Sequence, residues 1–209
     1  MKTTETAVQA NQTPKSQAAI LKLVTVSMLS AVSFVLFLFE FPIIPGMEHL
    51  KIDLSDIPAL VGALLFGPWW GVLIELIKNA LQLLVRGMGS QMGFGNIMNF
   101  LVGCAYIVPF TFEYRYLTKY SIPKIAALIH AAVLGMVAIV GVGIVGNYLI
   151  DPPFFKYVMN IELTSEMLWP AIWSATALNA IKGGLLTVVS FPLLLVLMDR
   201  LKKILRRPA

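Results

Sequence analysis

The chain has 209 residues, 58% of them hydrophobic and 13% charged, with a formal net charge of +5. A soluble domain carries roughly 25% charged residues, so a surface facing water on all sides is excluded, and a mean hydropathy of +0.81 places the chain in a bilayer. Cys104 is the single cysteine, which rules out a disulfide framework or a cysteine-rich metal site.

Residues 1–17 are polar and lack the apolar stretch of a cleaved secretory signal; they read as a mobile cytoplasmic tail. The first apolar span follows at 19–39. After it, the stretch 50–58 concentrates Lys51, Asp53 and Asp56 in a short connection, and polar groups at the mouth of an apolar bundle point to binding of something small. Asp56, next to Ile57, is placed to N-cap the following helix. That helix, 57–66, and the next, 71–85, are both short for a bilayer core that takes about 20 helical residues. Pro68 disfavours a helical residue before it, so 67–71 is expected to be a tight turn between two helices.

On 71–85, Glu75, Lys78, Asn79 and Gln82 recur at spacings of three and four and form one polar stripe. Glu75 and Lys78 can neutralise each other, and the stripe suits either hydrogen bonding between helices or a ligand or proton path. Arg86 can snorkel to the interface. A connection with Gly87, Gly89 and Gly93 leads to the span 94–112, and the basic connection 113–124 leads to 125–150. His130 within this fifth span is expected as a hydrogen-bonded core residue. The span ends in Asn147, Tyr148, Asp151, Pro152 and Pro153. Asn147 offers a donor and an acceptor, and Tyr148 an aromatic face with a hydroxyl. An interfacial aromatic belt accounts equally for Tyr148, Trp169 and Trp173, but not for Asn147. The sixth span, 168–198, carries Asn179 and Lys182 one turn apart, followed by Gly183 and Gly184. No acid lies within a turn of Lys182 on that helix, so its partner comes from another element or from a ligand.

Lysine and arginine set the orientation. With both termini on one side, that side collects eleven (Lys2, Lys15, Lys22, Arg115, Lys119, Lys124, Arg200, Lys202, Lys203, Arg206, Arg207), against three on the other (Lys51, Arg86, Lys156). Both termini are therefore expected in the cytoplasm. The basic end 199–207 reads as an orientation and lipid-headgroup signal rather than a nucleic-acid patch. Seven acids, Glu40, Glu48, Asp53, Asp56, Asp151, Glu162 and Glu166, fall on the outer side with the longer loops, which marks that face as functional. No HExxH, GxSxG or phosphate-cradling loop is present, so the chain is expected not to be an enzyme, and any energy from ATP must come from another subunit.

The run 50–68, with Lys51, Asp53, Asp56 and the Gly67 and Pro68 turn, leads into 71–79 with Glu75, Lys78 and Asn79. Together they closely resemble the S components of energy-coupling factor (ECF) vitamin transporters, over residues 18–203. The Asn147 region and the Asn179 and Lys182 pair resemble most the family's riboflavin-specific branch. The resemblance implies an all-α integral membrane protein of six transmembrane helices with the ECF S-component fold. One domain, 18–203, would lie between the tails 1–17 and 204–209, in a prokaryotic cell membrane. It implies riboflavin as transported ligand, with no cofactor, metal or catalytic residue. Asn147, Asn179 and Lys182 would hydrogen-bond the flavin, with Tyr148 as an aromatic neighbour, and Leu50, Lys51 and Asp53 would line or close the site. Family members meet an EcfT-like transmembrane coupling subunit and two ATPases through an Ala-x-x-x-Ala surface on the first helix. Here Ser27 and Ala31 take those positions, and serine is small enough for close helix contact. The competing expectations are an S component for thiamine or a biotin-like vitamin, a stand-alone carrier, and a membrane-embedded enzyme using Glu75, Lys78 and His130.

Overall fold

The computed structural model describes residues 14–42, 51–87 and 93–205. They form α1 (Pro14–Leu38), β1 (Phe41–Pro42), β2 (Lys51–Ile52), α2 (Asp56–Phe66), α3 (Pro68–Arg86), α4 (Phe94–Lys119), α5 (Lys124–Tyr157) and α6 (Ser165–Leu205). Much of the two expected tails, 1–13 and 206–209, lies outside the described residues. The helices run past the apolar segments read from the sequence. α5 continues through Pro152 and Pro153 to Tyr157, and α6 begins at Ser165.

Among the described residues four helices are long and apolar enough to cross a membrane: Ser16–Leu38 of α1, α4, α5 and Ser165–Val196 of α6. Their outer faces are apolar and exposed, as with Leu23, Met28 and Val32 on α1, Val133 and Val137 on α5, and Val188 and Val196 on α6. In water such a surface would be heavily penalised; in lipid it is solvated. His130 is also exposed on α5, so the expectation of a hydrogen-bonded core histidine is corrected. The face arithmetic explains it, since Ala127 and Ala131 take the buried side of that turn.

The short helix α2 is the centre of the bundle. Its 11 residues span about 16 Å, roughly half of a bilayer core, and every residue from Asp56 to Leu64 is buried. It can be buried on all sides because α1, α3, α4 and α6 all pack against it. At its C-terminus the guanidinium of Arg115 donates to the carbonyls of Ala63 at 3.4 Å and Leu64 at 3.2 Å, supplying partners that the last helical turn lacks. The turn expected over 67–71 contracts to Gly67, whose φ of 120° is accessible to glycine and strained for other residues. Pro68 then opens α3, where its missing N–H costs nothing, and Trp69 and Trp70 are helical.

Gly71 sets how closely α3 approaches its neighbours. A Cβ there would lie 2.6 Å from Ala63 Cβ, 2.8 Å from Ile107 Cγ2 and 3.0 Å from the Ala59 carbonyl oxygen. Two of these atoms are backbone or Cβ and cannot swing aside. Gly71→Ala is expected to destabilise the bundle by about 1–3 kcal/mol, measured as a lower melting temperature of the detergent-purified protein; an unchanged melt would contradict the close packing.

Candidate functional site

The site begins with the connection between α1 and α2. Residues 43–50, and Leu50 with them, lie outside the described residues. On either side of them β1 and β2 pair antiparallel, with Phe41 opposite Ile52 and Pro42 opposite Lys51. This pairing holds the Lys51 ammonium 3.0 Å from Glu40. Arg86, at the end of α3, reaches the same carboxylate at 2.6 Å and donates to the Leu38 carbonyl at 2.7 Å. Arg86 therefore does more than snorkel: it ties the end of α3 to the last turn of α1 beside the loop.

Asp53 anchors the inner side of the connection. One carboxylate oxygen accepts from the Ser55 amide at 2.8 Å and from the Ser55 hydroxyl. The other accepts from Asn99 Nδ2 and from Lys182 Nζ, each at 3.2 Å. Ser33 of α1 donates to the Ser55 carbonyl at 2.7 Å. The capping role expected of Asp56 is corrected here. Asp56 is the first helical residue, and Ser55, which precedes it, makes no side-chain cap. The Asp56 carboxylate instead lies 2.6 Å from Lys78 and 3.1 Å from Lys182.

These contacts join the connection to the polar stripe of α3. Lys78 also lies 2.6 Å from Glu75. Glu75, Lys78, Asn79 and Gln82 are all buried, so the stripe does face inward as one line. The result is a continuous buried chain: Glu75, Lys78, Asp56, Lys182, Asp53. Burying charge without partners is prohibitive, and this alternation of sign is what allows five ionisable groups to share one interior. Gly103 of α4 makes room for it, since a Cβ there would meet the Glu75 carboxylate at 2.8 Å.

Above this chain lies a cavity whose wall includes Phe37, Glu40, Lys51, Asp53, Gln82, Arg86, Phe94, Met98, Asn99, Val102, Asn147, Asp151, Leu178, Asn179 and Lys182. Its apolar members could cover a flat ring, and several polar atoms of the wall have no partner among the described residues. Asn147 Nδ2, Asn99 Oδ1 and Asp151 Oδ2 are buried and unbonded. Unsatisfied buried polar atoms are costly and in a cavity wall they await a ligand.

The model of the ECF transporter substrate-specific component family matches residues 21–195. The chain belongs to that family.

Among its relatives, this S component is 35% identical over 170 residues to the riboflavin transporter FmnP of Bacillus subtilis, covering 80% of this chain and 87% of that one. It is 30% identical to the riboflavin transporter RibU of Staphylococcus aureus over 188 residues, covering 88% of this chain and 93% of that one. A solved S component of a bacterial ECF transporter superposes with a TM-score of 0.72 at 28% identity, over 90% of this chain and 99% of that one. The chain is thus a multi-pass protein of a prokaryotic cell membrane.

Of the residues singled out from the sequence, Lys51, Asp53, Asn147, Asn179 and Lys182 of this S component meet around one cavity. Tyr148 does not line it: its side chain is exposed, 6.4 Å between ring centroids from Trp169, as an aromatic belt residue would be. Lys182 is not awaiting a ligand for its charge, because Asp53 and Asp56 already neutralise it. Ser27 and Ala31 are both exposed, one turn apart on α1. Sequence reasoning passed over Asn99, Gln82 as a wall residue and Asp151. For Asp151 a signal was present: it stands four residues after Asn147 and therefore on the same helical face.

Proposed function

We propose that this S component binds riboflavin near the external face and delivers it through an ATP-driven ECF complex, without chemistry of its own. The observation that carries this reading is the single wall that joins the amides of Asn147 and Asn179 and the Lys182 ammonium to the apolar Met98, Val102 and Leu178. Riboflavin is uncharged, with a flat apolar ring edged by carbonyls and a hydroxylated tail, and such a wall serves both halves. The riboflavin transporters FmnP and RibU among its relatives support the same ligand. Both termini lie in the cytoplasm, from the distribution of lysine and arginine, which turns the cavity outward. The exposed Ser27 and Ala31 on α1 supply small residues against which a transmembrane coupling subunit can pack, and two ATPases attached to that subunit supply the energy.

The neutralised Lys182 and the unpaired Asp151 Oδ2 on the wall of one cavity favour a second reading, a cationic vitamin such as thiamine. Calorimetric titration of the detergent-purified protein with riboflavin, thiamine and biotin separates the two. Saturable binding of riboflavin alone is expected, and the protein should purify yellow from cells grown with the vitamin. Binding of thiamine in its place would reject riboflavin. Uptake of flavin by liposomes holding this chain alone under an ion gradient would reject the dependence on ATPases.

A further inference from the structure

We propose that Asp151 recognises the hydroxylated tail of the ligand and so sets the preference for riboflavin over flavins that lack it. The proposal rests on the riboflavin reading and assigns a residue to one half of the molecule. Asp151 stands on α5 one turn beyond Asn147, about 6 Å along the axis, and both side chains line the cavity. It is 9% exposed, and its Oδ2 atom has no hydrogen-bond partner. The other acids of the wall are occupied: Glu40 holds Lys51 and Arg86, and Asp53 holds Ser55, Asn99 and Lys182. Among the described residues no lysine or arginine forms an ion pair with Asp151.

The donor and acceptor inventory then divides the ligand. An ionised carboxylate can only accept, so Asp151 must meet a donor. The ring of riboflavin presents chiefly acceptors, its carbonyls and ring nitrogens, with one N–H, whereas the tail presents a row of hydroxyl donors. On the protein, the unpaired donor is Asn147 Nδ2, with the Lys182 ammonium on the same wall; these suit the ring carbonyls. The unpaired acceptors of the wall are Asn99 Oδ1, an amide oxygen, and Asp151 Oδ2; Asp151 is the carboxylate of the two, and the tail hydroxyls are its complement. A hydroxyl donating to a charged acceptor forms one of the stronger classes of hydrogen bond.

The test compares riboflavin with lumiflavin, which keeps the ring and replaces the tail by a methyl group. Titrations monitored by flavin fluorescence quenching would be run on the wild-type protein and on Asp151→Asn and Asp151→Ser. Both variants should lose riboflavin affinity by roughly tenfold or more, the difference made by a hydrogen bond to a charged group, and bind lumiflavin as the wild type does. Unchanged riboflavin affinity in both variants would overturn the proposal. Equal losses for the two ligands in both variants would also overturn it, by placing Asp151 at the ring or in the fold. Failure of the wild-type protein to bind riboflavin would instead remove the underlying functional reading.

Discussion

Lys78→Met is expected to destabilise the protein more than any other single substitution in the bundle. Lys78 is fully buried and lies 2.6 Å from each of two carboxylates, Asp56 and Glu75. Methionine fills much of the volume but removes the charge, leaving Asp53, Asp56 and Glu75 to share Lys182. Breaking a buried ion pair by deleting one partner costs about 3–5 kcal/mol, which lowers a melting temperature by roughly 10 °C for a chain of this size. The double variant Glu75→Gln with Lys78→Met should recover part of the loss, because it removes one acid together with one base and restores the native charge balance. Melting curves of the two variants and of Glu75→Gln alone form a double-mutant cycle. Additive losses would show that the two residues do not act as a pair. The comparison also bears on the idea of an enzyme built on Glu75 and Lys78. A pair whose removal together is tolerated for folding and riboflavin binding is structural, not catalytic machinery.

Much of this arrangement could be read from the chain because membranes leave few options. The spans, the short α2 and the inward stripe Glu75, Lys78, Asn79 and Gln82 all follow from apolar length and a spacing of three and four. What stayed hidden were contacts between residues far apart in sequence. Lys182 has no acid within a turn on α6, and its partner Asp53 lies 129 positions away, where no periodicity reaches. The same absence misled the reading of Asp56. Its place before Ile57 matches an N-cap, but two lysines from other helices compete for its carboxylate, and a charged partner outweighs a cap worth about 1 kcal/mol. Tyr148 and Asp151 show a different error. Adjacent helical residues are separated by about 100° of rotation, so Asn147 and Tyr148 cannot share a face, while Asn147 and Asp151 do. Spacing alone separated the cavity residue from the belt residue.

Lys182→Gln should weaken riboflavin binding by roughly 100-fold, and the manner of the loss tests how the first connection is tied to the ligand. Lys182 Nζ stands 3.2 Å from Asp53 and 3.1 Å from Asp56 while its side chain lines the cavity. Glutamine keeps a donor for a ring carbonyl but cannot hold two carboxylates, so the ligand contact weakens from charged to neutral and Asp53 loses one of its partners. Asp53 in turn fixes Ser55 and Asn99, and through them the path of the chain from β2 into α2. Asp53→Asn alone is therefore expected to reduce affinity by a smaller factor. The double variant should bind no more weakly than Lys182→Gln, because the influence of Asp53 on the ligand passes through the same ammonium. Independent sites would instead give losses that multiply, and that result, measured by titration with riboflavin, would separate the connection from the binding wall. With the predicted coupling, occupancy of the cavity and the position of the connection beside it are one equilibrium. A ligand carbonyl that draws on Lys182 shares it with the carboxylate that holds the connection in place, so the two sites must bias each other by the same free energy.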